Sequence, residues 1–219
     1  SLYALMGLVA LGASSAQAAL LSYPECVGKY AADPTWESYL KDHWADWKTR
    51  FLGSDGVVKA RDPISPDISF VSEAQSYAMM LAIWFNDQAA FDKALAASDS
   101  KFWVSGCGTG GWYGWKLPVS NDCKTNGSFA SDADEDIAGA LVFASVLQDK
   151  GYWTGTKGTY KQKALQRVAS VWANMVDKSN YRINSWNGSG DGVRNPSYHM
   201  PGWYQVFKEF ADTNAVSGQ

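Results

Sequence analysis

Between Pro34 and Ala211 the apolar residues recur at helical spacing, and long alternating apolar and polar runs are missing. That periodicity restricts the chain to an all-α plan. "PTWESYLKDHWADWKTRFL" (34–52) opens on a proline and repeats Trp36, Tyr39/Leu40, Trp44, Trp47 and Phe51 along one stripe. Further helices are expected over 72–85, 88–97, 133–149, 160–177 and 199–211, the fifth with Ala164, Leu165, Val168, Val171/Trp172 and Met175 on one face. "VVKARD" (57–62) reads as a short strand. Irregular segments rich in Gly, Asn and Trp separate the helices, and no internal repeat or inter-domain linker is evident. Helices joined alternately by short and long connections predict an α/α array whose long loops gather on one face and build a site there.

The composition, 46% hydrophobic and 19% charged over 219 residues, supplies one sizeable core. A net charge of -3 with scattered Lys and Arg argues against nucleic acid, because phosphate neutralisation needs clustered cations. No apolar run reaches the roughly 18 residues of a membrane span. "SLYALMGLVALGASSAQA" (1–18) has the apolar stretch of a secretory signal and ends in an A-x-A site at Ala16 and Ala18. Cleavage after Ala18 and export to an extracellular or periplasmic compartment are expected, with a buried N-terminal helix as the alternative.

Export places the cysteines in an oxidising compartment. Cys107 and Cys123 bracket "GCGTGGWYGWKLPVSNDC", a loop of the size a disulfide commonly closes, which leaves Cys26 over. Three Cys, two His and no C-x-x-C argue against a zinc site, and no other metal or cofactor is expected.

Two helices begin on acids, "FVSEAQSYAMM" with Glu73 and "FASDADEDIAGA" with Asp132, Asp134, Glu135 and Asp136. One reading is helix-end chemistry alone. Ser72 would cap the second helix with Gln75 closing a capping box, and Asp132 would cap the fourth with Glu135 at its third position. The other reading is catalytic. Apolar neighbours (Phe70, Val71, Tyr77, Met79, Met80) around Glu73 favour the protonated carboxyl that a general acid needs. Both acids follow irregular segments, and Trp103, Trp112, Tyr113 and Trp115 lie between them. Paired carboxylates beside flat aromatic faces point to glycoside hydrolysis.

These segments carry a resemblance. "VSEAQSYAMMLAIWFNDQAAFDKAL" and "ASDADEDIAGALVFASVLQDKGYW" resemble the two signatures of glycoside hydrolase family 8, and "GWYGWKL" and "NPSYHMPGWYQVF" are similar to two further family segments in the same order. Ala74 and Ala78 stand where the first signature usually has glycines. The resemblance implies an (α/α)6 barrel of twelve helices, of which this chain would hold about the first half, residues 19–219. It also implies inverting hydrolysis of β-1,4-linked polysaccharide. By position, Glu73 corresponds to the general acid and Asp132 to the acid that binds the sugar at the cleavage point. Tyr198 corresponds to the tyrosine near the nucleophilic water, and Trp112 and Trp115 are candidates for sugar contact, though one could equally be core. Asp134 is read as a helix-start residue with a supporting role.

The leading expectation is a secreted endo-β-1,4-glucanase. Chitosanase, mixed-linkage glucanase and oligoxylanase remain open, as do a non-catalytic carbohydrate-binding protein and a helical scaffold whose acids only cap helices. The family's catalytic base falls well beyond the segment matching "NPSY". The chain alone is therefore expected to be inactive, with Asp191 as a possible substitute base.

Overall fold

The computed structural model describes residues 34–61, 68–188 and 195–214. The signal reading, Cys26 and Asp191 lie outside these residues. Six α-helices are described: α1 Pro34–Phe51, α2 Ser72–Trp84, α3 Gln88–Ala97, α4 Ser131–Asp149, α5 Thr159–Met175 and α6 Pro201–Thr213. Three antiparallel two-residue ladders tie down the loops: Ala60–Arg61 (β1) with Ile68–Ser69 (β2), Trp103–Val104 (β3) with Trp112–Tyr113 (β4), and Val176–Asp177 (β5) with Arg182–Ile183 (β6). The strand expected in "VVKARD" is thus cut to two residues of a hairpin.

The centre of the array is α4, whose Ala, Gly and branched side chains let neighbours approach from several sides. It packs on α2, α5 and α6, and Ile137, Ala138, Ala140, Leu141, Val142 and Ala144 lose all contact with solvent. Removing these side chains from water stabilises the packing of all three neighbours on α4. At Gly139 an added Cβ would lie 2.7 Å from the Trp203 ring, so glycine is what allows α6 to rest flat on α4. The α5 stripe is as expected for Ala164, Val171 and Met175, but Trp172 falls off it and is half exposed.

Of the described side chains of helix α1 only Trp44 is buried, in its C-terminal half. Trp44 is 6% exposed and stacks on Trp47 and Phe85, whereas Trp36 and Tyr39 stay largely in solvent. Asp87 fixes this corner: it caps α3 through Ala90 N–H (3.0 Å) and accepts bonds from Trp44 Nε1 and Lys48 Nζ.

Both expected helix caps are corrected. Val71, not Ser72, occupies the N-cap of α2, and Ser72 is already inside the helix. Gln75 faces the core, fully buried, accepting from Val58 N–H and donating to the Gly56 and Ala94 carbonyls and Ser98 Oγ. A glutamine that reached back to a cap could not satisfy those buried groups, whose loss of water costs more than a cap contributes. Likewise Ala130 is the N-cap of α4, and Asp132 sits within its first turn. The Cys107–Cys123 disulfide is present and closes a 16-residue separation, a length that stabilises by ~3 kcal/mol through the unfolded chain.

Candidate active site

Two hydrogen bonds set the alignment of α2 with the aromatic loop. Ser72 N–H donates to the Trp115 carbonyl, and Trp115 N–H donates to the Ser128 carbonyl. Trp115 thus lies immediately beside the first turn of α2, 38% exposed, with its indole N–H on the Thr125 carbonyl. Ser131 N–H donates to the Ser185 carbonyl, anchoring the start of α4. Both acid-bearing helix starts are therefore held by loop backbone at one end of the array.

Glu73 and Asp132 meet electrostatically across the α2–α4 contact. Asp132 is 6% exposed; burial, then the charge of Glu73, pushes its carboxyl up to about 7, against the pull of the first-turn amides. Glu73 is only partly buried, and its Oε1 accepts a 2.6 Å bond from Tyr77 OH one helical turn on. Asp132 is the deeper of the two acids, and Glu73 is the more accessible one.

Tyr198 stands in a short 3₁₀ turn, Pro196–Tyr198, capped by Asn195. Burial and the charges of Asp132 and Glu73 push its phenol up to about 12, so it belongs to the same cluster. Trp112 does not. It is 4% exposed, packs edge-on against Phe129 and donates to the Gly127 carbonyl, so the expectation of sugar contact there is corrected to a core role.

Two neighbours were not singled out from sequence as site residues. Tyr77 bonds Glu73, and Asp136 feels the charge of Glu73 while accepting from Trp203 Nε1 at 2.7 Å. Each lies one turn beyond a singled-out acid, and that i,i+4 spacing was the available signal. Asp134 turns away and accepts Tyr113 N–H at 3.0 Å. Glu135 is fully buried near Tyr204 OH (3.4 Å), and burial, then Asp136, pushes it up to about 9. Among the described residues no group of His, Cys, Asp and Glu could hold a metal ion, and no helix is long and apolar enough to cross a membrane.

The raised carboxyls give a pH signature of stability. Asp132 and Glu135 hold protons in the folded state that the unfolded chain releases near pH 4. Their stabilisation is complete below that range and is lost as pH rises to about 7 and about 9. Asp87 and Asp99 are shifted down and are already ionised above pH 5, so they do not offset this loss. Urea midpoints should therefore fall between pH 5 and pH 9. A flat profile across that window would contradict the burial assigned to these two acids.

Paired helices that bring their acidic starts to one end are the arrangement found in part of an (α/α)6 barrel. The structure superposes on endoglucanase Cel10, a family 8 glycosyl hydrolase from Klebsiella pneumoniae, with a TM-score of 0.62 and 26% identity over 80% of this chain and 54% of that one. The chain belongs to glycosyl hydrolases family 8, whose profile it matches over residues 5–216. It is 32% identical over 182 residues to Endoglucanase A of Acetivibrio thermocellus, covering 78% of this chain and 35% of that protein. It is 24% identical over 166 residues to the reducing end xylose-releasing exo-oligoxylanase of Bifidobacterium adolescentis, covering 72% and 42%. The chain thus spans between a third and just over a half of the length of these relatives.

Proposed function

We propose that this chain carries the acid side of the active site of an inverting endo-β-1,4-glucanase. The observation that carries the reading is the Glu73–Asp132 pair, two carboxyls heading neighbouring helices and coupled in charge, with Trp115 and Tyr198 beside them. The likeness to endoglucanases supports the substrate class. The likeness to an oligoxylanase supports a second reading in which the chain hydrolyses xylo-oligosaccharides on the same residues.

In the proposed mechanism the chain lies along the loop face with a pyranose ring against Trp115. Glu73 donates its proton to the glycosidic oxygen as the bond breaks. Tyr77, bonded to Oε1, leaves Oε2 as the oxygen that carries the transferred proton. Asp132 accepts a hydroxyl of the sugar at the cleavage point and holds its distorted ring. Inversion requires a base roughly 6.5–9.5 Å from the acid with water between them. Among the described residues after Tyr198 none fits that base: Glu209 is within α6 and Asp212 pairs with Lys208. The full-length enzyme is accordingly the active species, and the chain by itself is not. Export, read from residues 1–18, fits a polymeric substrate outside the cell.

The test is release of reducing ends from cello-oligosaccharides and xylo-oligosaccharides by the full-length enzyme, with and without Asp132→Asn. The substitution should weaken binding and turnover together, because its hydroxyl contact begins in the ground state and strengthens as the ring distorts. Unchanged affinity with only thermal stability reduced would return Asp132 to a structural role.

A further inference from the structure

A second aromatic feature lies outside the carboxylate cluster. Trp172, on the outer side of α5, is 50% exposed, and Tyr181, in the turn of the β5–β6 hairpin, is 75% exposed. Their rings are 6.4 Å apart and within 22° of parallel, too far apart to cover each other fully. Isolated exposed aromatics are ordinary on a protein surface. In this pair Tyr181 is kept in a strained backbone conformation. Tyr181 has a φ of 56°, the left-handed region that glycine or asparagine normally fills and that a bulky side chain occupies at a cost of ~1–2 kcal/mol. The hairpin enforces it: Tyr181 N–H donates to the Asp177 carbonyl at 2.7 Å, and Arg182 N–H to Asn180 Oδ1 at 3.0 Å. Strain kept at an exposed aromatic points to a use for that side chain.

Position and surroundings say what the use is. Asn184 N–H bonds the Met175 carbonyl at the end of α5, and Ser185 next to it accepts Ser131 N–H at the start of α4. The aromatic pair therefore sits at the same end of the helix array as Asp132. Around it lie the exposed Arg182 guanidinium and the exposed Ser179 and Asn180 side chains, the latter two already donating to the Asp177 carboxylate and presenting their remaining hydrogen-bonding capacity at the surface. Lys178 Nζ lies 3.8 Å over the Trp172 ring and donates to the Trp172 carbonyl, so this cation covers part of one indole face and helps to fix the ring. Flat apolar faces ringed by hydrogen-bonding groups match the alternation of axial C–H faces and equatorial hydroxyls on a β-linked pyranose chain.

We propose that Trp172 and Tyr181 form a second sugar-binding platform that takes a neutral β-1,4-linked glucan chain away from the carboxylates, deepening the glucanase reading on which it rests. The platform would hold a polymer already engaged at the carboxylates, or deliver one to them.

The experiment uses the full-length enzyme in a Glu73→Gln background, so that the polymer is not consumed, and measures retention on insoluble cellulose and in native gels containing hydroxyethylcellulose. Trp172→Ala with Tyr181→Ala should weaken binding about fivefold or more. Tyr181→Gly should raise the thermal midpoint by relieving the strained φ and at the same time weaken binding, a combination that a purely structural tyrosine would not give. Unchanged retention in both variants overturns the platform. So does a fall in stability for the Trp172 and Tyr181 variants without loss of binding, the pattern expected if other polypeptide covers the pair. The two proposals fail separately, cleavage being read on the parent enzyme with Glu73 intact: a parent that cleaves glucan but whose platform variants bind it normally refutes only the platform. A parent that cleaves none yet loses binding on these substitutions refutes only the glucanase reading.

Discussion

Glu73→Gln in the full-length enzyme is expected to lower hydrolysis by ~10²–10⁴-fold, the contribution of a positioned general acid, while leaving oligosaccharide affinity close to unchanged. The amide keeps the size of the carboxyl, and its oxygen can still accept the Tyr77 hydroxyl that Oε1 accepts now. What it lacks is a transferable proton. The change also removes the charge that, after burial, pushes Asp132 up to about 7, so the Asp132 midpoint should move back toward the ordinary carboxylate range. That shift can be followed by carboxyl-carbon NMR and confirms that the two groups face each other even before kinetics are measured. If Glu73 served only the helix dipole, the substitution would cost ~0.5 kcal/mol of stability and leave turnover intact. A loss of activity below about threefold would rule out the general-acid role.

Helices α2 to α5 were legible because each carries a run of apolar residues at helical spacing, with the starts of α2 and α4 marked by an acidic turn, that of α3 by Asp87 and that of α5 by Gly158. The (α/α)6 plan and the pairing of Glu73 with Asp132 came from the order of four motifs, which no periodicity argument supplies. Sequence failed where one residue type serves two ends. Ser72 and Gln75 have the spacing of a capping box, yet Gln75 is spent on Val58, Gly56, Ala94 and Ser98, groups far away in the chain that no local pattern reveals. Trp112 and Trp115 share one loop, and because the adjacent Trp112 and Tyr113 are both buried while Trp115 is exposed, no alternation in the sequence tells which tryptophan is core. Trp203 on Gly139 and its bond to Asp136 join residues more than sixty positions apart, and only the packed helices bring them together.

The same long-range logic produces the largest expected loss of stability, at Arg167. This guanidinium is 5% exposed, donates from Nη2 to Asp99 Oδ1 at 2.7 Å and from Nε to Tyr113 OH at 2.8 Å, and lies 3.4 Å over the Trp103 ring. Tyr113 OH also donates to Asp99 Oδ1, and Lys163 pairs with the other carboxylate oxygen. Burial alone would raise Asp99, but Lys163 and Arg167 outweigh it and hold the carboxyl below its usual range. Its contribution is therefore present above about pH 4 and is lost as pH falls through that depressed value. Arg167→Met should cost ~3–5 kcal/mol, since the methionine fills the space but leaves Asp99 and the Tyr113 hydroxyl short of a buried partner. For a chain of this size that corresponds to a fall in Tm of about 10 °C. A second change, Asp99→Asn, should restore part of the loss in the Met background and none in the parent, because it removes the charge that Arg167 compensated. The consequence reaches the site through backbone: Tyr113 N–H is the donor to Asp134, two residues from Asp132 on the first turn of α4. Loosening Tyr113 should thus broaden the Asp132 carboxyl resonance as well as lower Tm. A loss below 1 kcal/mol in urea unfolding would mean that the buried charges add little beyond an apolar packing of the same shape.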